Sequence, residues 1–196
     1  MLLDAGDIYQ GYPMSALNGG QPLSKAFTIM GYDAVAVGNH EFDWDVENVV
    51  DFKDSTMFDP KDGEYAAENL IPVVTSNFYQ NGEKVTFTKD YVILEKTAVD
   101  GDGKEMTVRI AVIGFAGKYA DDIAYNKFTG RGFTIDMDYG KLNTLASELE
   151  SADKCDATIV LAHEDPKIIA EGVGENSVVD LVLGGHVHDN TRGTTS

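Results

Sequence analysis

The sequence has little positive charge, a single cysteine and no long apolar run. Its 196 residues include 15 Lys and Arg against 33 Asp and Glu, giving a formal net charge of −18 and a sequence pI near 4.3. Nucleic acids and anionic membrane surfaces are bound through basic patches, so neither is an expected partner. No apolar stretch approaches the ~18 residues of a membrane-spanning helix. Cys155 alone forms no internal disulfide, and it says nothing about the redox compartment.

The pattern of apolar residues predicts one layered α/β domain. Hydrophobic residues make up 43% of the chain, enough for a sizeable core. Short apolar runs alternate with stretches of helical periodicity, as in α/β proteins. We expect strands at 2–3, 33–37, 72–76, 157–162 and 180–183, helices at 22–30, 46–58, 64–70, 138–154 and 166–170, and a hairpin of 91–99 with 106–115, whereas 119–134 is expected to be irregular.

All four histidines come directly after predicted strands. The carboxyl ends of strands in an open α/β sheet line one crevice, so these side chains are expected to meet there. One histidine in such a position is more often a buried or surface residue than a ligand, but four of four favour a ligand role. Carboxylate and amide side chains reach the same edge, and the mixed set suits Zn, Mn or Fe better than Ca. The strand-end residues are Asp7, Asn39, His40, His163, His186 and His188.

Glycines beside these residues are expected to let backbone segments approach closely at a metal or ligand site. They are Gly6, Gly38, Gly184 and Gly185. Residues 100–103 read as a hairpin turn and not as a calcium loop, because Lys104 stands where the next oxygen ligand should be. Aromatic residues at 119, 125, 128 and 133 are expected to pack in the core or in loops, in preference to stacking on a base.

Four segments together, in their order along the chain, resemble the calcineurin-like metallophosphoesterases. They are Asp4-Ala5-Gly6-Asp7, Gly38-Asn39-His40-Glu41-Phe42-Asp43, Leu161-Ala162-His163 and Gly184-Gly185-His186-Val187-His188. The similarity is greatest to the 5′-nucleotidase branch, which includes 2′,3′-cyclic-nucleotide phosphodiesterases. The resemblance implies an α/β/β/α sandwich, divalent transition metals (Mn, Zn or Fe), and hydrolysis of phosphoesters of nucleotides by a metal-activated water.

The resemblance also implies roles for individual residues. Asp7 would bridge two metals, Asn39, His163 and His186 would complete one metal site, and His188 would serve the other. His40 would stabilise charge and protonate the leaving group, oriented by Asp43. Asp43 could instead cap a helix that begins near residue 44, since Asp is a favoured N-cap. Glu164 and Asp165 depart from the small or apolar residues that the family pattern places after His163.

The family pattern begins with an Asp-x-His on an earlier strand, which this sequence lacks before Asp7. We therefore expect residues 1–196 to be a partial catalytic domain, incomplete at both ends, without the C-terminal nucleotide-binding domain. Such a chain would hold one metal where the whole protein holds two. A metal-binding fragment or partner-binding module without turnover remains an alternative, and so does the same fold acting on nucleotide sugars or another phosphoester.

Two further expectations follow from the resemblance. A sheet that lacks its first strand leaves an edge that can pair with another chain, so self-association is expected there. An extracellular, periplasmic or cell-surface location is also implied, although no address signal stands in the sequence.

Overall fold

A computed structural model describes residues 1–9, 11, 13, 21–43, 71–119, 123, 127–152 and 154–188. The strands are β1 (Leu3–Asp4), β2 (Ala34–Ala36), β3 (Val73–Val74), β4 (Phe78–Gln80), β5 (Glu83–Lys84), β6 (Tyr91–Val99), β7 (Glu105–Ala116), β8 (Phe133–Ile135), β9 (Ala157–His163) and β10 (Leu181–Gly184). The helices are α1 (Gln21–Met30), α2 (Tyr139–Ser151) and α3 (Pro166–Val173). None of the helices within these ranges has the length and apolar character to span a membrane.

Two sheets pack face to face at the centre. The first has the order β1-β2-β3 and is parallel throughout, and the second has the order β10-β9-β7-β6, with β6 antiparallel to β7. The layer between them is built from small or branched apolar side chains: Ala34, Ala36, Val74, Val112 and Leu161. Gly114 on β7 permits the closest approach, because a Cβ there would lie 2.2 Å from the backbone of Val74.

Helices cover the outer faces of both sheets. Phe27 of α1 packs with Val35 and Val73 of the first sheet. The second sheet is covered by α2 and α3, whose buried residues Leu142, Ala146, Leu149 and Ile169 pack on Ala111, Ile113 and Val160. The layers therefore follow the order α/β/β/α, and the predicted sandwich is confirmed.

Most predicted elements within the described ranges are confirmed. The hairpin of β6 and β7 pairs Tyr91 with Ile113 and Val99 with Glu105, and its turn is closed by a bond from Gly103 N to the Asp100 carbonyl, 3.0 Å long. Helix α2 follows the N-cap Asp138 and ends at Ser151, three residues before the end of the predicted 138–154, and α3 extends three residues beyond its predicted end. The helices expected at 46–58 and 64–70 lie outside the described residues.

One small sheet was not predicted. Strands β5, β4 and β8 form a three-stranded antiparallel sheet, and β8 lies partly in the segment expected to be irregular. Its strands hold two or three residues each, too few for an alternating pattern to stand out. Phe78 and Phe133 stack at 5.3 Å between ring centroids, and both belong to the buried cluster beside the first sheet. Tertiary packing of aromatic residues therefore defines this sheet.

Candidate metal centre

The ends of four strands from both central sheets meet at one place. Asp7 follows β1, Asn39 and His40 follow β2, His163 is the last residue of β9, and His186 follows β10. The expectation that strand carboxyl ends bring these residues together is met for Asp7, Asn39, His163 and His186, and His40 joins them through its backbone.

Glycine makes this convergence possible. A Cβ on Gly6, whose φ is +95°, would lie 2.5 Å from the backbone N of Gly38, and one on Gly38 would lie 2.4 Å from Oδ1 of Asp7. A Cβ on Gly184 would lie 2.5 Å from Cδ of Pro166, and one on Gly185 would lie 3.1 Å from Nδ1 of His163. The predicted close approach at these glycines is confirmed.

The polar atoms of the four converging side chains are close to one another. Oδ2 of Asp7 lies 3.0 Å from Nε2 of His163. Oδ1 of Asn39 lies 3.1 Å from Nε2 of His163 and 3.1 Å from Nδ1 of His186. The two imidazole nitrogens are 3.3 Å apart. Among the His, Cys, Asp and Glu residues that the structure describes, Asp7, His163 and His186 form the cluster suited to a metal ion.

The chemistry of these atoms fits a cation. Nδ1 of His163 donates to the carbonyl of Ala5 at 2.7 Å, so Nε2 of the neutral ring carries a lone pair. That lone pair faces the oxygens of Asp7 and Asn39, which are acceptors. A cation among these atoms satisfies all of them at once. Ligand atoms held tetrahedrally about 2.0–2.1 Å from a zinc ion lie roughly 3.3 Å apart, close to the spacings here.

Without a metal, a proton takes the place of the cation. Burial alone would raise the pKa of Asp7, but the hydrogen bond and charge of His163, with the N–H of His40, hold it below its usual range. Burial alone would lower the pKa of His163, but the hydrogen bond and charge of Asp7 and the Ala5 carbonyl raise it instead. The two shifts describe one imidazolium–carboxylate pair. A metal must displace its proton in order to bind.

Glu41 lies behind Asp7 and is not among the residues to which the resemblance assigns a role. Its side chain is fully buried, and its two carboxylate oxygens accept hydrogen bonds from the backbone N–H groups of Asp7 (2.9 Å), Ile8 (2.8 Å) and Gly38 (2.5 Å). Burial, opposed by these N–H groups, raises the pKa of Glu41 to about 7. One side chain thus joins the segment after β1 to the segment after β2. The available signal was an acidic residue directly after His40, close to the end of a buried strand.

His40 and Asp43 form a pair beside the cluster. Nδ1 of His40 lies 2.8 Å from Oδ2 of Asp43, and the backbone N of His40 donates to Oδ1 of Asp7 at 2.9 Å. Asp43 therefore contacts the histidine that the resemblance pairs with it. The alternative, a helix cap near residue 44, falls on residues outside the described ranges. His188 is exposed, with φ +45°, and does not belong to the cluster of Asp7, His163 and His186.

Two residues after β7 and β9 also reach the site. The ring of Tyr119 stacks on the imidazole of His186, with 3.9 Å between centroids and 17° between planes. Glu164, directly after His163, is completely buried. Phe128 and Phe133 lie in the core, as expected of the aromatics in this region. The sequence carried no signal for the Tyr119 contact, because it joins segments that follow different strands.

Comparisons with known proteins agree with this architecture. No family model matches the chain. The chain is 26% identical over 201 residues to the trifunctional nucleotide phosphoesterase protein YfkN of Bacillus subtilis, covering 96% of this chain and 13% of that protein. It is 27% identical over 206 residues to the 2′,3′-cyclic-nucleotide 2′-phosphodiesterase/3′-nucleotidase of Haemophilus influenzae, covering 96% of this chain and 29% of the relative. The chain thus spans less than a third of the length of either relative.

The fold is shared with a solved structure. The crystal structure of the calcineurin-like phosphoesterase YfkN from Bacillus subtilis superimposes with a TM-score of 0.73 at 23% identity, over 96% of this chain and 58% of that one. The two-sheet sandwich with a cluster of polar side chains at its strand ends is therefore the calcineurin-like phosphoesterase fold, and the resemblance drawn from the four sequence segments is confirmed.

Proposed function

We propose that this chain is the metal-binding core of a phosphoester hydrolase that acts on nucleotides, of the 5′-nucleotidase or 2′,3′-cyclic-nucleotide phosphodiesterase type. The observation that carries the proposal is the convergence of Asp7, Asn39, His163 and His186, in which four pairs of nitrogen or oxygen atoms lie 3.0–3.3 Å apart. The names of the relatives, which are nucleotide phosphoesterases, support the substrate class.

The four converging residues would hold a divalent transition metal. Two imidazole nitrogens, a carboxylate and an amide oxygen suit Mn, Fe or Zn. When bound, the ion polarises a phosphoryl oxygen and makes a bound water acidic enough to act as the nucleophile. His188 would serve a second metal in the longer protein. A bound cation also explains how a chain with a net charge of −18 can accept a phosphate ester.

His40 would act on the leaving group. The carboxylate of Asp43, 2.8 Å away, accepts the Nδ1–H of His40 and fixes its tautomer, so Nε2 is the nitrogen that exchanges a proton. A histidine held in this way can stabilise developing negative charge and protonate the departing alkoxide. The backbone bond from His40 N to Asp7 couples its position to that of the metal ligands.

The experiment measures metal content and phosphate release on the same protein. After mild loading with Mn²⁺ or Zn²⁺ and removal of excess, elemental analysis is expected to give about one ion per chain. His163→Ala is expected to lose that ion, whereas the exposed Lys154→Ala keeps it. A folded wild-type chain without bound metal would refute the proposal.

Turnover is tested with a nucleoside monophosphate, a 2′,3′-cyclic nucleotide, a nucleotide sugar and a chromogenic diester. Hydrolysis that His40→Ala abolishes, while metal content stays constant, supports the catalytic role of His40. The substrate hydrolysed fastest separates the nucleotide proposal from the nucleotide-sugar alternative.

A second candidate is a metal-binding module without turnover. It is favoured by one observation: within the described ranges the structure holds one ligand cluster, and His188 is exposed outside it. A full complement of metal with no phosphate release from any of the four substrates would select this candidate.

Self-association, the extracellular, periplasmic or surface location, and the truncated domain organisation stay predictions.

A further inference from the structure

We infer that Tyr119 is a positioning residue for the metal ligand His186, and that the buried carboxylate of Glu164 holds Tyr119 in place. The inference rests on the proposed function, since it concerns the orientation of one ligand of the same metal. Neither residue belongs to the four sequence segments on which the family resemblance depends.

The stack of Tyr119 on His186 fixes the plane of the imidazole. Its ring centroid lies 3.9 Å from that of His186 and the planes are nearly parallel, whereas the ring of His163 stands edge-on to His186 at 5.2 Å and 79°. Within that plane, Nδ1 of His186 faces Oδ1 of Asn39. A rotation of the ring about χ2 would turn Nδ1 away from the cluster and would also break the stack.

His186 needs such support because its backbone lies outside a regular element. Its φ of +68° is in the left-handed region, which a residue with a Cβ adopts at a cost. The flanking turn is closed by a bond from Val187 N to the carbonyl of Gly185, 2.8 Å long. The sheet therefore does not set the direction of this side chain, unlike that of His163, which lies within β9.

Glu164 joins the end of β9 to the turn that carries Tyr119. Strands β7 and β9 are parallel, with Ala116 opposite His163. A Cβ on Gly117 would lie 2.3 Å from the carbonyl oxygen of His163, so the two backbones are in contact just beyond the strands. The Glu164 carboxylate accepts hydrogen bonds from the backbone N–H of Lys118 at 3.2 Å and from the backbone N–H of Asp165 at 2.9 Å.

A buried carboxylate at this position costs free energy of desolvation. Burying a charged group costs free energy unless hydrogen bonds compensate it, and a small side chain would avoid that cost. Glu164 is 0% exposed, and one of its two bonds holds the residue directly before Tyr119. Through this bond, the end of β9 fixes the turn that carries Tyr119, and Tyr119 in turn fixes the imidazole ring of His186.

The test measures Mn²⁺ affinity of the full 196-residue chain by calorimetry. Tyr119→Leu is expected to weaken binding about three- to ten-fold, because the ring contact is lost, whereas Tyr119→Phe keeps the ring and stays within about two-fold. The matched control is Tyr79→Leu, which removes a ring on β4 that lies 5.4 Å from Nζ of Lys84 in the small sheet of β5, β4 and β8. This control lowers thermal stability and leaves the Mn²⁺ affinity unchanged.

A second measurement does not depend on metal. In the metal-free chain, the ring current of Tyr119 displaces the His186 ring protons in the NMR spectrum, and Tyr119→Leu is expected to abolish that displacement. Glu164→Gln is expected to reduce it, since an amide has one acceptor oxygen for two N–H donors. Unchanged Mn²⁺ affinity in Tyr119→Leu, or unchanged His186 shifts, overturns the inference. If the wild type binds no Mn²⁺, the proposed function fails, while loss of the displacement in Tyr119→Leu still supports the positioning of His186.

Discussion

Glu41→Gln is expected to change how the stability of the metal-free chain depends on pH. Glu41 is 2% exposed, and burial raises its pKa from an ordinary value of 4.5 to about 7. A carboxyl group with a raised pKa in the folded state favours folding most below its unfolded pKa, and this contribution is lost as the pH rises through the folded value. The contribution of Glu41 to the free energy of unfolding of the wild type therefore falls between about pH 4.5 and pH 7.

The magnitude follows from the difference between the two pKa values. Each pKa unit corresponds to about 1.4 kcal/mol, so the loss approaches about 3 kcal/mol above the folded pKa. Glutamine has the same shape and no charge to titrate. The free energy of unfolding of Glu41→Gln, taken relative to wild type, should therefore rise by about 2 to 3 kcal/mol between about pH 5 and about pH 8.

The assay is urea unfolding followed by circular dichroism, in the presence of EDTA, at both pH values. Glu105→Gln is the matched control, because Glu105 is exposed at the start of β7 and the substitution changes the net charge equally. The difference in free energy of unfolding between wild type and Glu105→Gln should stay constant with pH. If the corresponding difference between wild type and Glu41→Gln is also constant, the reasoning is refuted, since burial then does not oppose ionisation of Glu41.

Two other substitutions test the fold and the catalytic proposal. Gly114→Ala should lower the free energy of unfolding in urea by about 2 to 4 kcal/mol, because its Cβ would lie 2.2 Å from the backbone of β3. The control Gly101→Ala places its Cβ in open space and should change that free energy by less than about 0.5 kcal/mol. Asp43→Asn should lower phosphate release about ten-fold or more while metal content stays constant, since the amide no longer stabilises a protonated His40. A variant that loses metal and activity together would instead place Asp43 in the metal site.

Local patterns were enough to predict most elements of the sandwich. The long hairpin of β6 and β7 has alternating and β-branched residues on both sides of a turn rich in Asp and Gly, and α2 repeats its apolar residues with helical spacing. Strands β4, β5 and β8 escaped prediction, because two or three residues carry no period and their position depends on aromatic packing.

The sequence by itself determined the chemical types at the site and the edge of the sheet where they gather. Asp7, Asn39, His163 and His186 follow strands whose carboxyl ends point to the same edge, so they meet at one crevice, whereas His188, placed there by the same rule, lies outside the cluster. Only the tertiary structure decided which atoms face one another: Nε2 of His163 toward Asp7, Glu41 beneath Asp7, and Tyr119 over His186. These contacts join residues far apart in the chain, and the packing of one sheet on the other sets their distances, so no local pattern in the sequence encodes them.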